Sequence, residues 1–416
     1  MEGGKMAKAR KDLRGRALRK GEMQRASDQR YVYTYTDPLG RRKYIYARDL
    51  ATLREKEKEL IKNKLDGLDL YVAGRATIDN VFDRYMAIKH NLRDSTRSNY
   101  LYTYNHFVRD NFGMKLIAGI KFSDVLQYYN HLLHEQDLSL GTLDTIHCLL
   151  HPTFQLAVRD QIIRNTPTDG VMKEISKQSG KNRGVRHALT IEQQRAFMEY
   201  VANHPVYYHW WSLFTVLLGT GCRIGEALGL RWEDLDFENR IISINHSLVY
   251  YPTAKERKSV MRIVKPKTEA GIRTIPMLDV VYDAFQMELE EQEETGFNTD
   301  EIDGMTGFVF KNRYGGVPNY NTVNQAIKRI INSHNADEII LAKREKREPV
   351  IIPNFSCHHF RHTFATRLCE VESNLKVIQS IMGHRNIETT MDVYAEATDR
   401  KKKESMDNLS AKLDIF

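Results

Sequence analysis

The sequence predicts a multidomain α+β protein with three parts. These are a small N-terminal β-sheet with one helix, an all-helical middle domain, and a mixed, mainly helical C-terminal domain with a small antiparallel sheet. The chain has 416 residues, which is too many for one ordinary core. Apolar residues alternate with polar ones near the N-terminus, recur at helical spacing through the middle, and show both patterns in the C-terminal half.

The composition indicates a globular protein with a polyanionic partner. Apolar residues make up 41% and charged residues 28% of the chain, as in folded rather than disordered proteins. The net charge is +8, with much of the excess in MEGGKMAKARKDLRGRALRKGEMQR, which favours nucleic acid over a membrane surface. The cysteines are scattered and no long apolar run is present, so we expect a reduced, intracellular protein without structural zinc, signal peptide or membrane helix.

Residues 1–72 are predicted to form the first domain. A basic arm, residues 1–12, opens it. The segments RYVYTYTD (30–37) and RRKYIYAR (41–48) then alternate aromatic or apolar residues with polar ones, and PLG separates them. This pattern is typical of a β-hairpin.

Helical spacing of apolar residues follows the hairpin. DLATLREKEKELIKNKLDG (49–67) predicts a helix with Asp49 as its N-cap and Gly67 as its end. The second domain, residues 75–172, is predicted to be all-helical. Its helical segments, separated by short turns, lie at 77–90, 95–112, 122–136 and 139–162. We interpret the polar, basic residues 173–187 as a linker between domains.

Residues 188–416 are predicted to form the mixed domain. WWSLFTVLLGTGC (210–222) is apolar almost throughout and predicts a buried helix. Three segments are predicted strands, at 240–251, 260–266 and 271–277. We expect the last two to form a hairpin around KTEAG, with helices elsewhere.

The first candidate site feature is TGCRIGEALGLRWEDLDF (220–237). Arg223 follows the predicted buried helix, and Glu226 comes three residues later. An arginine offers a planar fork that binds phosphate oxygens with two hydrogen bonds, and a glutamate at this spacing can fix its rotamer. The alternative is an ordinary surface ion pair on a helix.

The second feature is SCHHFRHTFATRL (356–368). His358 and Arg361 lie three residues apart and share a helical face, which combines a group that transfers protons near neutral pH with a permanent charge. One alternative is a solvated basic helix. Another is a zinc site formed by His358 and His362, which the lack of an HExxH glutamate or an obvious third ligand disfavours.

Two further features complete the pattern. Lys267, in VKPKTEAGIRTIP, lies where a lysine can reach a substrate and donate a proton, although Lys265 is a rival and hairpin lysines are usually only solubilising. His384 follows a glycine in IQSIMGHRNIETTMDVYAEAT, and Tyr394 lies ten residues later. A half-buried aromatic with its hydroxyl in water is the alternative for this tyrosine.

The order of these features resembles the tyrosine recombinase family, the phage-type integrases. TGCRIGEALGLRWEDLD, HHFRHTFAT and IMGHRNIETTMDVY look like the signature segments of that family. The domain order also matches an arm-type DNA-binding domain, a core-binding domain and a catalytic domain, at 1–72, 75–172 and 188–416. The N-terminal segment LRGRALRKGEMQRASDQRYVYTYTDPLG looks most like integrases of conjugative transposons.

The resemblance implies a site-specific recombinase that integrates and excises a mobile element. Strand cleavage would pass through a 3′-phosphotyrosine and a Holliday junction, without metal, ATP or any cofactor. Tyr394 would be the nucleophile, Lys267 would protonate the leaving oxygen, and Glu226 would support Arg223. The groups that would hold the scissile phosphate are Arg223, His358, Arg361 and His384. His358 either accepts the tyrosine proton or only binds the phosphate.

The resemblance also implies partners and a location. These are double-stranded DNA at core and arm sites, a homotetramer on that DNA, an excisionase, and the bacterial cytoplasm. The candidate DNA contacts outside the catalytic set are Arg14, Arg16, Arg19, Lys20, Arg41, Arg183 and Arg186. The tail after Tyr394 would dock on a neighbouring protomer or fold back on its own domain.

Three other functions compete with recombination. A catalytically silent DNA-binding protein would bind duplex without covalent attachment, and the intact set of candidate residues argues against it. A type IB topoisomerase would relax plasmids that lack any attachment sequence. An RNA-binding protein would account for the basic N-terminal sheet but not for the C-terminal segments.

Overall fold

The computed structural model of the protein describes residues 10–36, 42–65, 74–180, 187–253, 258–395 and 406. The chain divides into two compact units, residues 1–183 and residues 184–416. Within the described ranges, no helix has both the length and the apolar character that crossing a bilayer requires.

An antiparallel sheet opens the first unit, in the order β1 (Glu22–Gln24), β2 (Tyr31–Thr36) and β3 (Arg42–Ala47). The predicted hairpin is confirmed, since β2 and β3 pair with Tyr33 opposite Ile45. The sequence did not predict β1, because three residues are too few to show alternation. The PLG turn and residues 1–9 of the basic arm lie outside the described residues.

One helix, α1 (Leu50–Leu65), packs on this sheet. The predicted N-cap is confirmed, because Asp49 Oδ1 accepts a hydrogen bond of 2.8 Å from the Thr52 backbone N–H. Leu50 and Leu53 are buried against the sheet. Arg54 of the helix forms an ion pair of 2.9 Å with Glu22 of β1. The predicted end at Gly67 lies outside the described residues.

A helical bundle completes the first unit. Its helices are α2 (Ile78–Ile88), α3 (Asp94–Tyr104), which continues as a π-helical turn over Asn105–Arg109, α4 (Phe122–His134), α5 (Leu140–Arg159) and α6 (Val171–Gln178). The predicted helices are all present. The predicted start of the linker at residue 173 is wrong, because α6 runs through it. Val171 and Ile175 are fully buried, so their apolar contacts extend the domain.

The second unit is mainly helical. Its helices are α7 (Ile191–Asn203), α8 (Trp211–Thr220), α9 (Ile224–Gly229), α10 (Asp279–Thr295), α11 (Tyr320–Glu345), α12 (Cys357–Val371) and α13 (Leu375–Met382), followed by helical residues 387–395. The predicted buried helix is α8. Phe197, Phe214 and Phe360 pack with ring centroids 5.3–5.7 Å apart, and they anchor α12 to α7 and α8.

Two small antiparallel sheets lie in this unit. One has the order β4 (Leu235–Asp236), β5 (Ile241–Ile244) and β8 (Arg273–Pro276), and the other pairs β6 (Ser247–Pro252) with β7 (Ser259–Val264). The predicted hairpin between 260–266 and 271–277 is therefore wrong, because β7 pairs with β6 and β8 pairs with β5.

The cause of this difference lies between β5 and β6. Asn245 donates a hydrogen bond of 2.9 Å to Asp234, and the buried His246 contacts the Gly229 carbonyl at 2.6 Å. These side-chain contacts divide the predicted strand 240–251 into two strands that belong to different sheets. Lys267 consequently lies in the crossing between the sheets rather than in a hairpin.

Candidate active site

The turn between α8 and α9 carries Arg223. Gly221 ends α8 in a left-handed conformation (φ 63°), and a Cβ at this position would lie 2.3 Å from Phe364 of α12. Arg223 is the N-cap residue of α9. Its backbone N–H donates to Glu226 Oε2 at 2.9 Å, and its Nη1 donates to Oε1 at 2.7 Å. The predicted contact between Arg223 and Glu226 is therefore present.

Glu226 pairs with a second arginine as well. Arg273 Nη2, from β8, donates to Glu226 Oε2 at 2.9 Å, and the Glu226 side chain is only 5% exposed. Burial by itself would raise the pKa of this carboxyl. The hydrogen bond from Arg273 and the charges of Arg273 and Arg223 outweigh burial and lower the pKa to about 2. Glu226 is therefore ionised at neutral pH.

Helix α12 carries His358 and Arg361 on one face. Arg361 is 4% exposed, and its guanidinium donates to the carbonyl oxygens of Gly221 (2.7 Å) and Met382. Burial, followed by the charge of Arg223, lowers the pKa of Arg361 to about 9. His358 is exposed one turn earlier on the same helix. The structure thus places a buried charge beside an accessible imidazole.

The zinc alternative for α12 involves His358 and His362. His362 is half-buried one turn beyond the exposed His358. In the part of the chain that the structure describes, no three His, Cys, Asp or Glu side chains are arranged to hold a metal ion.

The C-terminus of α13 is where the arginines meet. Gly383 ends the helix in a left-handed conformation (φ 61°). The last carbonyls of a helix lack intrahelical partners and carry partial negative charge, so arginines are favourable there. Three consecutive carbonyls accept from three different arginines. The pairs are Ile381 with Arg273 Nε (2.8 Å), Met382 with Arg361 Nη2, and Gly383 with Arg223 Nη2 (3.4 Å).

His384 follows this turn directly. Its Nδ1 lies 3.0 Å from the hydroxyl of Thr390, which is fully buried. Burial and the charge of Arg361, followed by those of Arg223 and Arg273, lower the pKa of His384 to about 4. The imidazole is therefore neutral at neutral pH, and a neutral ring can still donate from one nitrogen.

Tyr394 lies on the helical residues 387–395, one turn after Thr390. Its half-buried ring packs against a small apolar cluster from α12 and α13, formed by Ala365, Cys369, Ile378 and Met382. Thr390 therefore links the helical segment of the tyrosine to His384, and the apolar cluster holds that segment against α12 and α13.

Lys267 is exposed between β7 and β8. A short 3-10 turn, Glu269–Gly271, follows it and packs against the turn that precedes His384, since a Cβ on Gly383 would lie 2.9 Å from the Ala270 carbonyl oxygen. The lysine thus belongs to a segment that touches the site. No hydrogen bond joins its ammonium group to the other described candidates. Lys265 is also exposed, two residues earlier.

The candidate DNA contacts in the N-terminal domain differ in availability. Arg16 Nε pairs with Asp12 at 2.8 Å and its Nη2 donates to the Tyr31 hydroxyl at 2.7 Å, so it is engaged within the domain. Arg19 lies 3.8 Å from Glu57. Arg14 and Lys20 are exposed. Three candidates lie outside the described residues, namely Arg41, Arg183 and Arg186.

Sequence reasoning missed two residues of the cluster. Arg273, Ile275 and Met277 are alternate residues that face the core from β8 and its end. A charged residue at a core position of an alternating strand is unusual, and this could have identified Arg273 from the sequence. Thr390 carries no such signal. Its contact with His384 depends on how residues 385–390 turn back.

Comparison with known proteins identifies the family of the chain. Residues 187–401 match the phage integrase family, and residues 6–64 match the DNA binding domain of Tn916 integrase. The chain belongs to the phage integrase family. It is a tyrosine recombinase, an enzyme that cleaves and rejoins DNA.

Similar proteins support the finer resemblance. The transposase from transposon Tn916 of Enterococcus faecalis is 31% identical over 409 residues, which cover 94% of this chain and 95% of the relative. The ICEBs1 integrase of Bacillus subtilis is 24% identical, over 75% of this chain and 76% of the relative. The predicted resemblance of this recombinase to conjugative-transposon integrases is confirmed.

Solved structures support the fold. The Tn1549 transposon integrase, solved in complex with a circular intermediate DNA, has 29% identity and a TM-score of 0.68, over 80% of this chain and 99% of that chain. A lambda integrase tetramer bound to a Holliday junction has 15% identity and a TM-score of 0.51, over 90% and 94% of the two chains. The predicted α+β fold class is confirmed.

Proposed function

We propose that this recombinase integrates and excises a mobile element at specific DNA sites, using Tyr394 as its nucleophile. The observation that carries the proposal is the convergence of Arg223, Arg361, neutral His384 and the tyrosine segment around the end of α13. Related proteins support the substrate, since the Tn1549 integrase was solved with circular intermediate DNA and the lambda integrase tetramer with a Holliday junction. We further propose that the protein acts in the bacterial cytoplasm as a homotetramer on core and arm sites, with an excisionase, and the tetrameric lambda integrase supports the oligomeric state alone.

The charge of the site suits a phosphodiester. Glu226 balances one of the three converging arginines, which leaves excess positive charge at the C-terminus of α13. The Arg223 side chain is 44% exposed and can reach a phosphate from solvent, whereas Arg361 is fixed by two carbonyls. Preorganised guanidinium groups stabilise the charge that develops on the non-bridging oxygens.

The bond changes balance without an external energy source. The Tyr394 oxygen forms a bond to phosphorus while the bond from phosphorus to the 5′-oxygen breaks. His358 accepts the tyrosine proton, Lys267 protonates the 5′-oxygen, and neutral His384 donates to a phosphate oxygen. The 3′-phosphotyrosine conserves the bond energy, so a 5′-hydroxyl of a partner strand reverses the step and rejoins the DNA without ATP.

Covalent trapping tests the proposed function. The protein is mixed with a nicked suicide duplex that carries its element's end, with EDTA present, and the products are separated on a denaturing gel. We expect a slow-migrating adduct whose DNA-bearing peptide contains residue 394. Duplex binding without an adduct would favour a silent DNA-binding protein, and relaxation of plasmids that lack attachment sequences would favour a topoisomerase.

Thr390 provides a prediction at the same site. Replacing it by valine keeps its shape but removes the hydroxyl partner of His384 Nδ1. When that hydroxyl donates to Nδ1, the imidazole keeps its proton on Nε2, where it can donate to phosphate. We expect Thr390→Val to lower the single-turnover cleavage rate about tenfold, which is the usual cost of removing the group that orients a functional histidine. Thr390→Ser should retain the rate, and Thr389→Val, an exposed neighbour, is the matched control. An unchanged rate in Thr390→Val would contradict this role.

A further inference from the structure

Arg273 is a buried arginine that the proposed chemistry does not use. Its side chain is only 4% exposed on the inner face of β8. All three guanidinium nitrogens are engaged. Nη2 donates to Glu226 at 2.9 Å, Nε donates to the Ile381 carbonyl at 2.8 Å, and Nη1 donates to the Gly271 carbonyl at 3.3 Å. These partners all belong to the protein, and the proposed chemistry assigns no phosphate contact to Arg273.

Arg273 Nη2 contacts Glu226, which is the carboxylate that pairs with Arg223. Among the described residues, Glu226 Oε1 accepts from Arg223 Nη1 alone, whereas Oε2 accepts from both the Arg223 backbone N–H and Arg273 Nη2. The carboxylate is therefore clamped between two guanidinium groups that come from different parts of the fold. Without Arg273, it would be a buried acid held by one half-exposed arginine.

Arg273 Nε contacts the chain segment that leads into the turn before His384. The bond to Ile381 lies at the end of α13, two residues before Gly383. A Cβ on Gly383 would lie 3.0 Å from Arg273 Nη1, so the turn packs directly on the guanidinium. Because the fork of an arginine is planar and rigid, its two ends hold these two chain segments at a fixed separation.

We propose that Arg273 is a positioning residue for strand cleavage, because it fixes both the carboxylate that orients Arg223 and the turn that presents His384. The inference rests on the proposed function, in which these two residues bind the scissile phosphate. A small displacement of positioned groups costs about a hundredfold in rate. Loss of Arg273 should therefore slow cleavage far more than it weakens DNA binding.

Two substitutions test the inference on the full chain with the nicked suicide duplex. We expect Arg273→Met to lower the single-turnover cleavage rate about 10²-fold, with the final adduct yield and the duplex Kd changed less than about threefold. Arg273→Lys restores the charge beside Glu226 but not the fork, so we expect a loss of about tenfold. Arg240→Met is the control, because it removes an exposed, ion-paired arginine just before β5 and should retain the wild-type rate.

The pH profile separates positioning from a purely structural role. The ionisable groups that face Glu226 are Cys222 and Arg223 from the α8–α9 turn, Arg273 from β8, and Arg361 from α12. Removing Arg273 removes the strongest influence that lowers the pKa of Glu226, while burial continues to raise it. Cleavage by Arg273→Met should therefore decline at a higher pH than wild-type cleavage as the solution is acidified. Cleavage by Arg273→Lys should decline at the same acidic pH as wild-type cleavage.

The outcomes are distinct. If the wild-type protein forms the adduct and Arg273→Met forms it at the same rate, the inference is wrong and the proposed function stands. The inference is also wrong if Arg273→Met gives less adduct while its cleavage rate and the pH at which cleavage declines stay unchanged. If Arg273→Met does not fold, a wild-type rate in Arg273→Lys would overturn it. Absence of any wild-type adduct would instead contradict the proposed function, and the inference with it.

Discussion

Replacing Tyr394 by phenylalanine is expected to abolish the covalent protein–DNA adduct. Phenylalanine lacks the hydroxyl oxygen that attacks phosphorus in the proposed mechanism, so no phosphotyrosine can form at this position. The ring is retained, so its contacts with the cluster of Cys369, Ile378 and Met382 persist. We therefore expect the fold to be kept and the duplex Kd to change less than about twofold, since a half-buried hydroxyl contributes little to packing.

The control for this substitution is Tyr314→Phe. Tyr314 lies in the same unit, is 80% exposed, and is remote in sequence from the candidate residues. It should form the adduct at the wild-type rate. An adduct that persists in Tyr394→Phe would assign the nucleophile to another residue. Loss of duplex binding together with the adduct would show instead that the tyrosine is needed for the fold or for docking.

Replacing Arg361 by methionine is expected to have the second-largest effect on the cleavage rate. The same substitution should change the free energy of unfolding only slightly. The guanidinium is held by the carbonyls of Gly221 and Met382, so it is aligned before DNA arrives. Removing one preorganised donor from an oxyanion site costs about 10²–10³ in rate, and we expect a loss of about 10³-fold because this group also carries a full charge.

The expected effect on folding is small, because two contributions oppose each other. Leaving two buried carbonyls without their donor costs about 1–3 kcal/mol for each carbonyl. However, burial and the charge of Arg223 lower the pKa of Arg361 to about 9, which means that its charged form is disfavoured in the folded state. That cost is fully present at neutral pH and disappears only as the pH rises above about 9. Methionine removes it, and replacement of a buried charge by an apolar side chain is often neutral or stabilising by about 1–4 kcal/mol.

Single-turnover cleavage and urea unfolding of the same preparations check this prediction. We expect the free energy of unfolding to change by less than about 2 kcal/mol while cleavage falls about 10³-fold. Arg367→Met is the matched control, since Arg367 lies on the same helix and pairs with Glu370 outside the site. A large loss of stability in Arg361→Met, with cleavage reduced only in proportion to the unfolded fraction, would contradict the proposed role.

Prediction from the sequence succeeded where the deciding contacts are local. The β2–β3 hairpin, the Asp49 cap and the Arg223–Glu226 contact each join residues close in the chain, so their spacing carries the information. It failed where a few distant side chains decide. His246 and Asn245 divide one predicted strand into two. The buried contacts of Val171 and Ile175 stabilise helix α6, which covers the first residues of the segment 173–187 that was predicted to be a linker from its charge.

The sequence by itself determined the fold class, the family and the order of the candidate residues, because periodicity and motif spacing are properties of neighbouring positions. Only the tertiary structure decided how these residues meet. Three arginines from a turn, a strand and a helix converge on consecutive carbonyls at the end of α13. Those carbonyls lack helical partners, and the side chains that satisfy them come from segments far apart in the chain, so no local pattern specifies which ones.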